Sequence, residues 1–406
     1  MNKSFKYRLV PSLCQEKTIN HWFGCGRWVW NWCLMQNMHA YSSSGTFIFR
    51  NELSSQLPNL KDEYEWLSDA VARALQNRVD DFEKSLKHHI KNKNGFPKFK
   101  SKRIESHNTI RIDNVNGSVK PHKNNITIPK IGNIKYIKHR PLEGKLKSIT
   151  IKKENNKWFV VCLCQLPDPE LKQFNTDQAI GLDVGIKSFV ALSDGTSVPP
   201  QDYKRKEHLL KRKQRQLAKK QKGSNNRTKA RKKVNKQYCK IKNQRLDFIH
   251  KTSTAITKQY LFPMTEDLNI KGMVKNRKLA KAISDQGWSL FINQLHYKSL
   301  RNGGHLTKID RWLPSSKTCS QCGCIKDQLL LSERLYNCSD CGVVLDRDTN
   351  AAINIKRWGI DLNTAGTAGI YASGKSSNGG DNSCSTPSYD LLKQEKSQKN
   401  VLGVFD

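Results

Sequence analysis

Acidic side chains are scarce in this sequence: 35 Asp and Glu stand against 71 Lys and Arg, a formal net charge of +36 over 406 residues. That excess suits a polyanionic partner, nucleic acid first and an anionic membrane surface second. Long apolar runs are missing as well. No stretch approaches the ~18 apolar residues of a membrane span. The opening segment MNKSFKYRLV lacks the apolar core of a secretory signal. The expectation is a soluble intracellular protein with no membrane partner. Cysteine is not lacking, at twelve residues. The chain is nevertheless too long and too basic for a small disulfide scaffold, so a reducing compartment is the better reading. Cys14, Cys25, Cys33, Cys162, Cys164, Cys239 and Cys384 read as ordinary small side chains.

The length suffices for two or three modules. Phe5–Val10 alternates and reads as a first strand that Pro11 stops. Residues 13–92 read as helical. Val71, Leu75, Val79, Phe82 and Leu86 recur at three- and four-residue steps, and Trp22, Trp28, Trp30 and Trp32 belong to a helical core, with base stacking by one or two of them the sharper alternative. After a basic connector, Gly95–Arg103, the period changes to two. Ile149 and Ile151, then Trp158, Val160, Cys162 and Cys164, mark a hairpin turning at Glu154–Asn156. Phe5–Val10 can pair with these strands, which makes the helical block an insertion into a small β-barrel or sheet. A linker leads to two β-rich runs around Gly185. Lys204–Arg245 follows, helical, with 19 Lys or Arg and one acid, Glu207, for a net +18. Trp288, Phe291, Ile292 and Leu295 form one face of a helix with Ser284 as N-cap and Gly303 as C-cap. A strand, a cysteine region and a short helix from about Asn350 complete the fold. Residues 361–406, rich in Gly, Ser, Thr and Asn, read as a disordered tail.

Cys319, Cys322, Cys338 and Cys341 form two C-x-x-C pairs. Each pair can put two thiolates on one turn, and the two turns close a tetrahedral Zn²⁺ site with no open position, hence structural zinc. Gly323 and Gly342 follow the pairs where a positive φ is needed. Cys324 is a spare thiol that is free or competes as a ligand. In so basic a chain the settings of the acids matter. Asp183 sits inside the apolar run IGLDVG, a costly place unless it is paired or metal-bound; the bland alternative is a turn carboxylate at Gly185. Glu266 and Asp267 follow LFPMT, where Pro263 argues against a central strand; an exposed loop is the alternative. Asp346 and Asp348 precede the last helix, a common place for a capping acid. Carboxylates gathered from these places would repel unless divalent cations such as Mg²⁺ or Mn²⁺ neutralised them. Such a pair of ions suits phosphodiester cleavage.

In order along the chain, GLDVGIKSFVALSDG, KRKQRQLAKKQKGSNNRTKARKKV, TEDLNIKGM, DRWLPSSKTCSQCG, YNCSDCG and LDRDTNAAINI together resemble the TnpB (OrfB) family of bacterial insertion sequences, relatives of the type V CRISPR effectors. The resemblance covers about Asn2–Trp358. It implies an α+β, multidomain chain: a wedge-like β-barrel (1–12 and 93–172), a helical recognition insertion (13–92), an RNase H-like RuvC nuclease domain (176–313 and 342–360) and an inserted four-cysteine zinc ribbon (314–341). Asp183, Glu266 and Asp348 match the three catalytic, Mg²⁺-binding acids, with Asp346 the runner-up for the third. The implied activity is an RNA-guided DNA endonuclease of the bacterial cytoplasm. Its guide RNA comes from the transposon end, and it cuts double-stranded DNA beside a short transposon-adjacent motif in aid of element retention. Lys211, Arg212, Lys213, Arg215, Lys219, Lys220, Arg227, Lys229, Arg231, Lys232 and Lys233 become candidate phosphate contacts of RNA or of the guide–target hybrid; a flexible polybasic loop is the alternative. A nuclease-inactive guide-dependent repressor would be expected to lack one of the acids. A strand-transfer transposase needs a joining activity, and no tyrosine or serine nucleophile motif stands out.

Overall fold

A computed structural model describes residues 1–92, 95–330 and 332–368. The chain divides into two compact units, Met1–Asp168 and the residues from Pro169 onward. The boundary falls in the expected linker.

The first unit opens with β1 (Asn2–Val10), α1 (Leu13–Ser44), α2 (Arg50–Ser55), α3 (Leu57–Glu63) and α4 (Ala72–Asn92). Its strands then run β2 (Thr109–Asp113), β3 (Lys120–Pro121), β4 (Asn125–Ile128), β5 (Gly132–Ile137), β6 (Lys145–Glu154) and β7 (Lys157–Gln165). Ser12 starts α1 with a full capping box: its hydroxyl accepts the Gln15 N–H while the Gln15 side chain accepts the Ser12 N–H. The sheet order is β2-β6-β7-β1-β5-β4-β3. β1 therefore lies inside the sheet, antiparallel to both β7 and β5, and the helices are inserted after it as expected. The β6–β7 turn is made by Asn155 and Asn156 at φ 49° and 59°, the left-handed pair that a tight hairpin requires.

The expected barrel is corrected to an open sheet. β2 and β3 lie at opposite ends, and among the described residues they do not pair with each other. Closure needs every strand bonded around the ring; β3 has only two residues. The tryptophans belong to the core. Trp22 and Trp30 are buried, and their indole N–H groups donate to the Asp69 and Lys98 carbonyls, each at 3.0 Å. Trp28 and Trp32 pack partly buried against the same core.

The second unit contains β8 (Ala179–Asp183), β9 (Val190–Leu192), β10 (Ser197–Val198), α5 (Lys204–Ala218), α6 (Asn225–Gln259) and β11 (Phe262–Glu266). There follow α7 (Ile270–Met273), α8 (Ala280–Gln286), α9 (Trp288–Arg301), β12 (Thr307–Ile309), β13 (Leu335–Asn337), β14 (Val344–Asp346) and α10 (Arg347–Ala368). The main sheet runs β10-β9-β8-β11-β12. β9 is antiparallel to β8, whereas β11 is parallel to both β8 and β12. Pro263 is compatible with this place because pairing with β12 begins only at Met264.

Period-two alternation sorts the sheet into layers. Ile180 and Leu182 pack with Ile249 and Ile256 of α6 and Phe291 and Leu295 of α9. Ala179, Phe262 and Met264 pack on the other side with Ile355 of α10. α10 crosses β8 at Gly181, where a Cβ would lie 1.9 Å from the Ala352 carbonyl oxygen. Only glycine permits that approach.

Three further expectations change. Ser284 lies within α8; α9 starts after Gly287, whose φ of 71° ends one helix and begins the next. Gly303 follows the α9 C-cap, Asn302, at φ 87°. The last helix starts at Arg347 and runs to Ala368, so residues 361–368 continue it; the rest of the expected tail, and Cys384, lie outside the described residues.

Candidate active site and four-cysteine knuckle

Strand parity places the first two acids. Asp183 shares the β8 face of Ala179 and Gly181, and Glu266 shares the β11 face of Phe262 and Met264, so both point to the side covered by α10. The strands are parallel, with Leu182 paired to Thr265. Asp183 and Glu266 are thus register neighbours at the carboxyl ends of adjacent strands. α10 brings Asp348 in its first turn. A Cβ at Gly185 would lie 3.9 Å from Asp348 Oδ2, so this carboxylate sits beside the loop that leaves Asp183.

The electrostatics follow from that gathering. Burial, then the Glu266 and Asp348 charges, push Asp183 up to about 7, against some relief from Arg347. Burial also raises Glu266, eased by a hydrogen bond from the Ser315 hydroxyl. Asp348 is raised by burial and by Asp346, while Arg334, Arg347 and Lys187 pull the other way. The Glu266 and Asp348 charges both bear on the half-buried Asp183, and carboxylates are the hard-oxygen donors that suit a divalent cation; among the described residues the close-set metal-type cluster is that of the four cysteines.

The other two acids do different work. Asp267 forms ion pairs with Lys308 at 3.2 Å and Arg311 at 2.6 Å. Asp346 is the cap of α10: its Oδ1 accepts the N–H groups of Asp348 and Thr349, both at 3.0 Å.

The four cysteines come together as their spacing requires. Their Sγ atoms all lie within 4.8 Å of one another, with Cys319–Cys341 at 3.6 Å and Cys322–Cys338 at 3.5 Å. Tetrahedral zinc with Zn–S near 2.3 Å would set these edges at roughly 3.8 Å, so the site fits the ion. The two halves repeat one turn: Gly323 N–H donates to Cys319 O and Gly342 N–H to Cys338 O, at 3.0 and 3.1 Å, with φ 83° and 70° at the glycines. A hydrogen bond from the Cys324 backbone draws the Cys322 thiol down to about 7. Cys324 itself is not one of the four. β13 and β14 pair antiparallel below the knuckle, and β14 runs straight into α10.

The basic segment is a helical hairpin, α5 and α6, joined through residues 219–224 and packed on Tyr203, Leu210, Val234 and Ile241. Lys211, Arg212, Arg215, Lys219, Lys220, Lys229, Arg231, Lys232 and Lys233 are exposed. Lys213 is half-buried and donates to Gln237; partial burial, then neighbouring cations led by Lys240 and Arg212, lower its pKa. Arg227 has a structural task, donating to the Leu217 and Lys220 carbonyls at the end of α5. Sequence reasoning missed Ser315 and the roles of Gly181, Asn350 and Asn354. All four stand within the family-like segments, but nothing in their local pattern announced their partners.

Comparison with known proteins agrees in its coverage. The family profile for OrfB of IS605, described as "Probable transposase", matches residues 160–277. A Cas12f1-like TNB domain profile matches residues 288–355. A profile described as a helix-turn-helix domain matches residues 1–46, where the fold is one strand and one long helix. A Streptomyces pristinaespiralis protein named "Putative RNA-guided DNA endonuclease" is 32% identical over 376 residues, spanning 90% of this chain and 91% of that protein. The Escherichia coli K12 protein named "Putative RNA-guided DNA endonuclease InsQ" is 28% identical over 375 residues, spanning 87% and 91%. In fold, the chain is similar to the protein in the cryo-EM structure of the Cas12f1-sgRNA-target DNA complex, at a TM-score of 0.59 and 14% identity, covering 88% of this chain and 98% of that one.

Proposed function

The chain belongs to the TnpB (IS605 OrfB) family, and from that premise we propose that it is an RNA-guided, Mg²⁺-dependent DNA endonuclease. The observation that carries this reading is the gathering of Asp183, Glu266 and Asp348, from three distant segments, on one face of the sheet. The strand order, with an antiparallel second strand and a helix crossing the first, supports an RNase H-like, RuvC-type nuclease domain.

Asp183, Glu266 and Asp348 would hold Mg²⁺, or Mn²⁺, which when bound supplies charge neutralisation and activation of water for phosphodiester hydrolysis. Asp183 is the shared centre, since the other two carboxylates both bear on it. Arg347, Arg334 and Lys187 border the acids and can balance the phosphate drawn in. Cys319, Cys322, Cys338 and Cys341 would hold a structural Zn²⁺ that leaves no coordination position for chemistry. The exposed cations of α5 and α6 suit the backbone of a guide RNA and its DNA hybrid. Base pairing would then supply sequence specificity while the protein reads backbone shape and a short adjacent motif. In the cell this reading places the enzyme in the bacterial cytoplasm, with RNA from the transposon end, acting in transposition and element retention.

The deciding experiment is plasmid cleavage by the protein copurified with its RNA. Asp183→Ala should abolish cutting in Mg²⁺ and leave RNA and DNA binding largely intact. Cleavage by that variant at the wild-type rate would refute the assignment.

A further inference from the structure

One segment, residues 314–320, joins the cysteine knuckle to the acids, and its polar contacts lead both ways. Ser315, buried, donates from Oγ to Glu266 Oε1. Its own carbonyl accepts from Asn354 Nδ2 at 2.9 Å, and the same amide donates to the Thr318 carbonyl at 2.7 Å. One turn earlier on α10, Asn350 donates to the Thr318 carbonyl at 2.7 Å and accepts the Ser320 N–H at 2.9 Å. Thr318 and Ser320 flank Cys319, a knuckle residue. Asn350 follows Asp348 by two positions on the same helix.

Both asparagines are buried at 1% exposure or less. Asparagine is a mediocre helix former, and a buried amide costs free energy unless bonded. Two of them, one turn apart and gripping the same segment, therefore have a purpose beyond packing. Among the described residues Asn354 Oδ1 has no hydrogen-bond partner, while its amide nitrogen serves two carbonyls. The end of this chain of contacts is Glu266, the longest of the three acidic side chains and the one with most rotamer freedom to lose.

We propose that Ser315 is the positioning residue of Glu266, held in place by the Asn350–Asn354 clamp of α10, so that the first cysteine pair, Glu266 and the helix bearing Asp348 move as one body. The inference rests on the nuclease reading for the role of Glu266. A neighbour that orients a metal-binding carboxylate is worth about 10–100-fold in metal affinity.

The test compares the full chain with Ser315→Ala and Ser315→Thr, with its copurified RNA. Mn²⁺ binding is followed by electron paramagnetic resonance, zinc content is measured, and cleavage is titrated against Mg²⁺. Ser315→Ala should weaken Mn²⁺ binding about tenfold or more and raise the half-saturating Mg²⁺ in parallel. The rate at saturating Mg²⁺ should stay within about threefold, with zinc content unchanged. Ser315→Thr, which keeps the hydroxyl, should restore both. Wild-type Mn²⁺ affinity in Ser315→Ala overturns the proposal. So does a loss of rate at every Mg²⁺ concentration, with lost zinc and no rescue by threonine, because that is a folding defect. A wild type that binds Mn²⁺ but cuts nothing refutes the nuclease reading instead, and the Mn²⁺ comparison still decides the role of Ser315.

Discussion

Two aspartates two positions apart face different tasks, and substitutions separate them. Asp346 caps α10 through its Oδ1. Asparagine caps as well as aspartate, so Asp346→Asn should keep both stability and cleavage, whereas Asp346→Ala should lose about 1 kcal/mol in a thermal melt. Asp348→Asn should fold normally and fail to cut; an active Asp348→Asn beside a dead Asp346→Asn would reverse the assignment. Asp183 adds a pH dependence. Its carboxyl is raised from 3.8 to about 7, so the neutral form is the one the metal-free fold prefers. That preference stabilises the fold fully below the ordinary carboxylate range and is lost progressively as pH rises from there through about 7. The metal-free protein should lose stability on the order of 3 kcal/mol between pH 5 and pH 8 from this group. Asp183→Asn should flatten the loss, and Mg²⁺ should raise the melting temperature more at pH 8 than at pH 5. A melt equally sensitive to pH in Asp183→Asn would assign the effect elsewhere. Asp183 stood out in the sequence because an acid inside an apolar run is costly; Glu266 and Asp348 were picked out by the family resemblance, since a loop acid and a helix-capping acid have common uses of their own. Ser315 was not legible, since a serine beside a proline has many common uses.

At the scale of the element, the α5–α6 hairpin makes a graded prediction. Replacing an exposed cation such as Lys229, Lys232 or Lys233 by alanine should weaken nucleic-acid binding without changing sequence preference. Each such change should lower the salt slope by about 1 where a phosphate contact is lost. Arg227→Ala should instead fray the junction of the hairpin, because it removes the donor to the Leu217 and Lys220 carbonyls; circular dichroism tells the two effects apart. Helices and hairpins came through in the sequence because their periods are local: every apolar position of the Val71–Leu86 stripe is buried. Boundaries set by one backbone angle did not. Ser284 looked like a cap, but Gly287 turns left-handed and makes two helices of one pattern. Gly181 is the same kind of omission at longer range, since what it makes room for lies on α10. Gly181→Ala should displace α10 or prevent folding of the unit, a loss of about 3 kcal/mol or more.

For the molecule, the consequential arrangement is that the knuckle is inserted between β12 and α10, the last strand of the main sheet and the helix that brings the third acid. Removing zinc with a chelator, or Cys319→Ser, should therefore do more than loosen a surface ribbon. Limited proteolysis should cut within residues 314–346 and Mg²⁺-dependent cleavage should fall, while Met1–Asp168 stays protected. Equal digestion of both units would show that the knuckle supports the fold generally. The insertion of the helical block after β1 and the four-cysteine site were readable from spacing alone. Whether the first sheet closes was not, because that depends on how far the two shortest strands reach, and neither β3 nor β4 carries much pattern.

The place of β1 also sets a timetable. Its partners β5 and β7 are encoded more than a hundred residues later, and the intervening α1–α4 emerge first. At about 5–20 residues per second on the ribosome, the first strand waits on the order of ten seconds or more for its sheet. During that wait Phe5, Tyr7 and Leu9, which end up at 1% exposure, are apolar groups without a core. The strand is thus open to wrong partners for as long as its sheet takes to emerge, and slow synthesis would lengthen that exposure.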